Sequence, residues 1–259
     1  MDPAQKAMAL SVSLLTGMLL CLEVGYRVGI VRSGRGPELL HEGIGAIEAA
    51  IFAILGLLLG FSFAGAMSRL DNRRALIIRE ANAIGTAYLR LDVLPAGAQP
   101  DQRRLFREYL NTRLRAYEQL PDFDAADQEF SRAAEIQLEI WSGAIAALAD
   151  DSPQNTARLL LLPTLNEMID VTTDRTVALH THLPLLIFVL LISIALLSGL
   201  VAGYAMAKRK RRSLLHMLLY AAAVAVIVYA IADLDSPRSG FIRLDAADNA
   251  LLKLLDSIR

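Results

Sequence analysis

The sequence predicts an all-α polytopic membrane protein, with four transmembrane helices and a helical-bundle region between the second and the third. Three observations carry this. Apolar stretches of span length recur at about 7–30, 44–67, 184–207 and 214–233, and a bilayer takes about 20 such residues at about 1.5 Å rise each. The run Lys208-Arg209-Lys210-Arg211-Arg212 joins the last two stretches, a charged hairpin for which a soluble fold has no use. Between the second and third stretches, apolar residues recur at helical spacing and no strand alternation is seen.

Composition agrees. The 259 residues are 54% hydrophobic with mean hydropathy +0.41. The net charge of −1 conceals a contrast: residues 101–180 carry 14 acids against 8 arginines and no lysine, while the apolar segments are framed by basic groups. Cys21, the only cysteine, lies inside the first apolar stretch, so no intrachain disulfide exists. There is no CxxC or HExxH, and no cofactor or metal is expected. Nucleic-acid binding is not expected either, because the densest cations sit in a membrane hairpin. Their natural partners there are anionic lipid headgroups.

The elements follow in order. Residues 1-68 hold spans one and two. Residues 69-182 form the helical region, continuous with the membrane helices, 183-235 hold spans three and four, and 236-259 form a C-terminal amphipathic helix. The first stretch is too long for a signal-peptide core and is followed by another span, so it reads as a transmembrane helix. The helix leaving span two carries Leu70, Ile77, Ala81, Ile84, Tyr88 and Leu91 on one face and ends at Pro95. A second helix opens after Pro100 with Asp101 as its N-cap and shows Phe106, Leu110, Leu114 and Tyr117. A third runs from Asp124 to about Ala149, with a stripe of Phe130, Ala134, Leu138, Trp141, Ile145 and Leu148. A fourth starts at Ser152-Pro153, is kinked or restarted by Pro163, and continues through Leu165, Ile169, Thr172, Thr176 and Leu179 into span three. Asp235 to Gly240 reads as a turn, and a last helix at about 244–258 shows Leu244, Leu251, Leu252 and Leu255.

Four spans place both termini and the helical region on one side. Five cations in a loop too short to escape the membrane surface resist translocation, which places that loop in the cytoplasm and the 69-182 region outside an inner membrane. Arg69, Arg73, Arg74 and Arg79, just past span two, pull the other way.

Span two holds the candidate functional residues. Gly45, Ala49, Ala53, Gly56, Gly60 and Ala64 form a small-residue stripe that lets another backbone approach, either in an oligomer or within one subunit. A second face carries His41, Glu48, Leu55 and Ser62 at intervals of seven. In a symmetric ring Glu48 would give a carboxylate ring that attracts cations, with Ile51, Leu55 and Leu58 as a dewetting constriction. Alternatively the span begins near Ala49 and leaves Glu48 at the headgroups. Beyond the membrane, Arg79, Glu80, Asn82, Thr86 and Arg90 form either a vestibule or a hydrogen-bonded seam within the bundle. Glu23 and Arg27 are spaced for an ion pair, and His180 and His182 point too far apart to share a metal.

Asp71-Asn72-Arg73-Arg74, the run Glu80-Ala81-Asn82-Ala83-Ile84-Gly85-Thr86-Ala87-Tyr88-Leu89-Arg90, Leu94-Pro95, and Asp233-Leu234-Asp235-Ser236-Pro237-Arg238-Ser239-Gly240 together resemble the bacterial bestrophin-like domain family over nearly the whole chain. The resemblance implies a homo-oligomeric ion channel. Bestrophins are pentameric, have four spans per subunit, line their pore with the second, and keep the central helical region in the cytoplasm. They conduct anions, whereas Glu48 suits cations. The partners so implied are further copies of the chain and small inorganic ions. The competing reading is a membrane sensor or adaptor whose bundle binds a ligand or partner, and an intramembrane enzyme finds no catalytic residue pattern to support it.

Overall fold

In the computed structural model, the residues described are 3–33, 42–120, 122–149, 156–208, 213–236 and 245–258. Among them the chain is all helix: α1 (Pro3–Ser33), α2 (Glu42–Leu89) with a 3₁₀ turn Arg90–Val93, α3 (Gln99–Gln119), α4 (Phe123–Ala147), α5 (Thr156–His180), α6 (Leu185–Lys208), α7 (Leu214–Asp235) and α8 (Asp245–Ser257). Four stretches are long and apolar enough to cross a membrane, one each in α1, α2, α6 and α7. The chain forms two compact units, Met1–Leu70 with His182–Ile242, and Asp71–Thr181 with Arg243–Arg259.

In the membrane unit, α1 packs along α6 and against α7. Glycine makes this possible. A Cβ on Gly25 would lie 2.0 Å from the Leu200 carbonyl oxygen, and one on Gly203 would lie 2.0 Å from that of Leu22. Both obstacles are backbone, so the two helices touch main chain to main chain. Met18, Leu22, Leu191 and Ala195 are fully buried beside this seam. The span portion of α2 turns Leu55, Leu59, Ser62 and Ala66 inward, and Phe52 meets Tyr220 of α7 edge to face at 5.8 Å.

In the bundle unit, α2, α3, α4 and α5 enclose a core that includes Ile84, Leu91, Phe106, Leu110, Ile140, Leu161, Leu165 and Val171. The expected α2 stripe is buried at Ile77, Ala81, Ile84, Tyr88 and Leu91. The C-terminal helix α8 joins this core through Leu251 and Ile258, and the Tyr88 hydroxyl donates to the Ile258 carbonyl at 3.2 Å. The expected position Leu244 lies outside the described residues.

Four local expectations are corrected. Asp101 is not an N-cap: α3 begins at Gln99, with Ala98 at the cap and proline in the first turn, because Pro100 is itself pre-shaped for helix. The start of α4 is Phe123 rather than Asp124, capped by Asp122, whose carboxylate accepts from Ala125 N at 3.2 Å. The α4 core face is Ala126, Ala133, Ile136, Gln137, Ile140 and Ala144; Ala134 is exposed and Leu138 is 68% exposed, because small side chains allow α4 to sit close to its neighbours. Pro163 does not break α5, which runs through it, since Leu161 and Leu165 on either side are fully buried and hold the helix by packing. Instead the interruption falls at 181–184, where Pro184 precedes α6, so α5 and α6 are separate helices.

Candidate functional site

The membrane part of α2 presents two faces of opposite character. Gly45, Ala49, Ala53, Gly56, Gly60 and Ala64 are all exposed, and a Cβ at Gly45, Gly56 or Gly60 would meet nothing within 4 Å. The close backbone packing seen within the membrane unit is made by the glycines of α1 and α6. The other face is the inward one. Leu55 and Ser62 are buried within the subunit, at 3% and 6% exposure. Glu48 shares their face by the spacing of seven and is half-buried, as are Ile51 and Leu58. Half-buried Phe52 meets the ring of Tyr220 on α7. His41 and the cations Arg209 to Arg212 lie outside the described residues, as does the Lys208 side chain.

The membrane unit carries a carboxylate latch. Both Asp235 oxygens accept from Leu183 N, at 3.1 and 3.0 Å, just before Pro184. Arg69 Nε donates to Asp235 Oδ1 at 3.0 Å, and His182 Nδ1 lies 3.4 Å from Oδ2. Asp235 thus ties the last turn of α7 to α2 and to the start of α6. Glu23 and Arg27 pair at 2.8 Å on α1 as their spacing anticipates.

In the bundle unit, the family-like motif divides by burial. Glu80 is wholly buried. Its Oε1 accepts from Arg113 Nε of α3 at 2.8 Å; its Oε2 accepts from Arg175 Nη1 of α5 and from the Tyr117 hydroxyl at 3.3 Å. Arg113 also donates to the Tyr117 hydroxyl, and the Arg175 guanidinium lies 3.6 Å from the centre of the Tyr117 ring. Tyr109 shares a hydrogen bond with Thr172 Oγ1 at 2.9 Å and accepts from Gln137 Nε2 at 3.5 Å. One carboxylate thus faces two guanidiniums inside a core built of four helices. Burial pushes the Glu80 carboxyl up, but the charges of Arg113 and Arg175 outweigh it and hold the group below its ordinary range. Burial alone would lower the affinity of Arg113 for its proton, yet Glu80 raises it above the ordinary arginine value. Burial pushes the Tyr109 phenol up to about 12.

The rest of the motif lies on the surface of the same unit. Arg79 meets Glu167 at 3.3 Å and Asp174 at 3.9 Å, both on α5. Asn82 and Thr86 are exposed, and half-buried Arg90 donates to the Leu160 carbonyl at 2.6 Å. Arg73 is buried and donates to the carbonyls of Ala178 at 3.0 Å and Thr181 at 2.8 Å, satisfying the last turn of α5. Glu80 thus belongs to a hydrogen-bonded seam, whereas Asn82 and Thr86 are the open members. Sequence reasoning missed Arg113 and Arg175 as site residues, and named Tyr117 only in an apolar stripe and Asp235 only in the motif after span four. A signal for the first two was present: both arginines fall in phase with apolar stripes, Phe106-Leu110-Arg113-Tyr117 and Leu165-Met168-Val171-Arg175. Among the described residues no cluster of His, Cys, Asp or Glu could hold a metal.

The profile of the Bestrophin-like domain family matches residues 13–248. Among solved structures, a tryptophan-to-alanine variant of a bacterial bestrophin homologue from Klebsiella pneumoniae is similar with a TM-score of 0.68 at 15% identity, covering 95% of this chain and 97% of that one. A serine-to-alanine variant described as a membrane protein is similar with a TM-score of 0.66 at 18% identity, covering 94% and 97%. No curated protein sequence matches the chain.

Proposed function

Because the chain belongs to the Bestrophin-like domain family, we propose that it is a homo-oligomeric ion channel, a closed ring such as a pentamer in the inner membrane, with α2 lining the pore. The observation that carries this is the open small-residue face of α2. Six small residues on one face of a membrane helix are exposed, and a Cβ at Gly45, Gly56 or Gly60 would meet nothing within 4 Å. Further copies of the chain and a lumen between them are what such a face fits.

The proposed pore wall is this small face, bordered by half-buried Glu48, Ile51 and Leu58; within the bundle unit, Asn82 and Thr86, with Arg79 and Arg90, are the proposed vestibule residues. Small inorganic ions are the permeants. Anionic lipid headgroups are the proposed partners of Lys208, Arg209, Lys210, Arg211 and Arg212. The test is current from purified protein in a planar bilayer under a KCl gradient, together with the mass of the solubilised particle. A closed ring that conducts supports the channel. A monomer or dimer silent across voltage, calcium and pH overturns it in favour of a sensor or adaptor. A reversal potential that moves in Glu48→Gln places Glu48 at the lumen.

A further inference from the structure

The charges that α2 presents to its neighbours in the bundle unit alternate in sign at consecutive positions. Arg79 meets the carboxylates Glu167 and Asp174 of α5, and Glu80 meets the guanidinium of Arg175 on that same helix and of Arg113 on α3. Acid and base are therefore adjacent on α5 as well, at Asp174 and Arg175, in the order that complements α2. One turn along α2 in either direction from Glu80 the inward positions are Leu76 and Ile77, or Ala83 and Ile84. None of these can answer two buried guanidiniums.

Apolar contact is non-directional, and the buried face of α2 is broad, so hydrophobic packing by itself tolerates a rotation or a one-turn slide. Slides of one turn are a recurrent way for packed helices to switch state. Charge-assisted hydrogen bonds are directional, and a buried arginine without its carboxylate is costly. A slide of α2 leaves Arg113 and Arg175 against methyl groups, and a one-position rotation brings Arg79 toward them. We propose that Glu80, gripped from α3 and α5 at once, is the positioning residue that fixes the register of the pore helix, and so decides which α2 side chains the vestibule exposes. The inference rests on the pore reading above only in giving that register a consequence for permeation.

The test uses the full chain in lipid vesicles with Cys21→Ser, and single cysteines introduced as Asn82→Cys, Thr86→Cys, Ala83→Cys and Ala87→Cys. Asn82 and Thr86 are exposed, whereas Ala83 and Ala87 are buried. With Glu80 present, a charged thiol reagent modifies the first pair faster than the second by about tenfold or more, since a buried thiol waits for local opening. In Glu80→Gln this contrast falls to about threefold or less. Glu80→Asp keeps it, and so does the exchange Glu80→Arg with Arg175→Glu, which retains one carboxylate and two guanidiniums. An unchanged contrast in folded Glu80→Gln overturns the inference, as does its loss or aggregation in the exchanged pair. Should Glu80→Gln aggregate, Glu80→Asp and the exchanged pair decide, and both must keep the contrast. Current is recorded on the same proteins. A parent that carries none refutes the pore reading while the thiol pattern still answers for the register.

Discussion

Replacing Gly25 or Gly203 by alanine tests the claim that close backbone contact of α1 with α6 holds the membrane unit together. The new methyl carbon would stand 2.0 Å from a carbonyl oxygen in each case, whereas ordinary contact begins at about 3.4 Å. The helices must separate by about 1.4 Å to admit it, and a gap of about 0.5–1 Å already forfeits a quarter to a half of the dispersion attraction. Neither obstacle is a side chain that could turn away. Overpacking of this kind costs about 1–3 kcal/mol, and the rigidity of main chain puts these sites at the upper end. Alanine returns at most about 1 kcal/mol through helix propensity. The controls are Gly56→Ala and Gly60→Ala, where nothing lies within 4 Å and only the propensity gain operates. Thermal unfolding in detergent, followed by far-ultraviolet circular dichroism, should show midpoints lowered by roughly 5 °C for the first pair and unchanged or raised for the second. Equal midpoints across all four would refute the reasoning. Bulkier Gly56→Leu and Gly60→Leu should leave the folded subunit intact but break its assembly, as seen in particle mass.

The Glu80 carboxyl is held below its ordinary value of 4.5, so its contribution to stability is present above pH 4.5 and is lost as pH falls from there through the lower folded value; acid unfolding followed by Trp141 fluorescence should show this loss, and Glu80→Gln should remove that part of the dependence. On the alkaline side, Tyr109 is raised from 10.0 to about 12, so stability it contributes is full below pH 10 and lost as pH climbs toward 12; Tyr109→Phe should flatten that limb. Arg73→Ala should cost about 1–3 kcal/mol by stripping the last carbonyls of α5, read as faster amide exchange near Ala178. At Gly85 a Cβ would lie 3.2 Å from Leu254 Cδ1, a flexible tip, so Gly85→Ala should be nearly neutral. Gly85→Val, together with Tyr88→Phe, which removes the bond to Ile258, should expose α8 to limited proteolysis.

The spans were legible because hydropathy over some 20 residues is a property of composition alone, and no packing partner has to be known. Which face of a span turns inward was not legible. The glycines of α2 and those of α1 and α6 look alike as text; only the fold reveals that Gly25 and Gly203 meet main chain while Gly56 and Gly60 meet nothing. For α4, two apolar faces compete, and size misled: Leu138 points outward while Ala133 and Ala144 are buried. The motif at 80–90 marked the right helix, but Glu80 required partners 33 and 95 positions away on α3 and α5, and pairing at that distance has no periodicity to betray it.

Each of the two units is assembled from separated lengths of chain. The membrane unit begins with Met1–Leu70 and is completed by His182–Ile242; the bundle unit begins at Asp71 and is completed by Arg243–Arg259. Synthesis is directional, so neither is whole until the C-terminal end is made. Gly25 and Gly203 lie 178 positions apart, which at about 5–20 residues per second is a wait of roughly 10–35 s between the emergence of the two partners. During that interval the first helix stands in the bilayer with its glycine face against lipid or an insertion factor. Premature stop codons anywhere before α6 should therefore yield inserted but unpaired spans, substrates for membrane proteolysis rather than partial proteins.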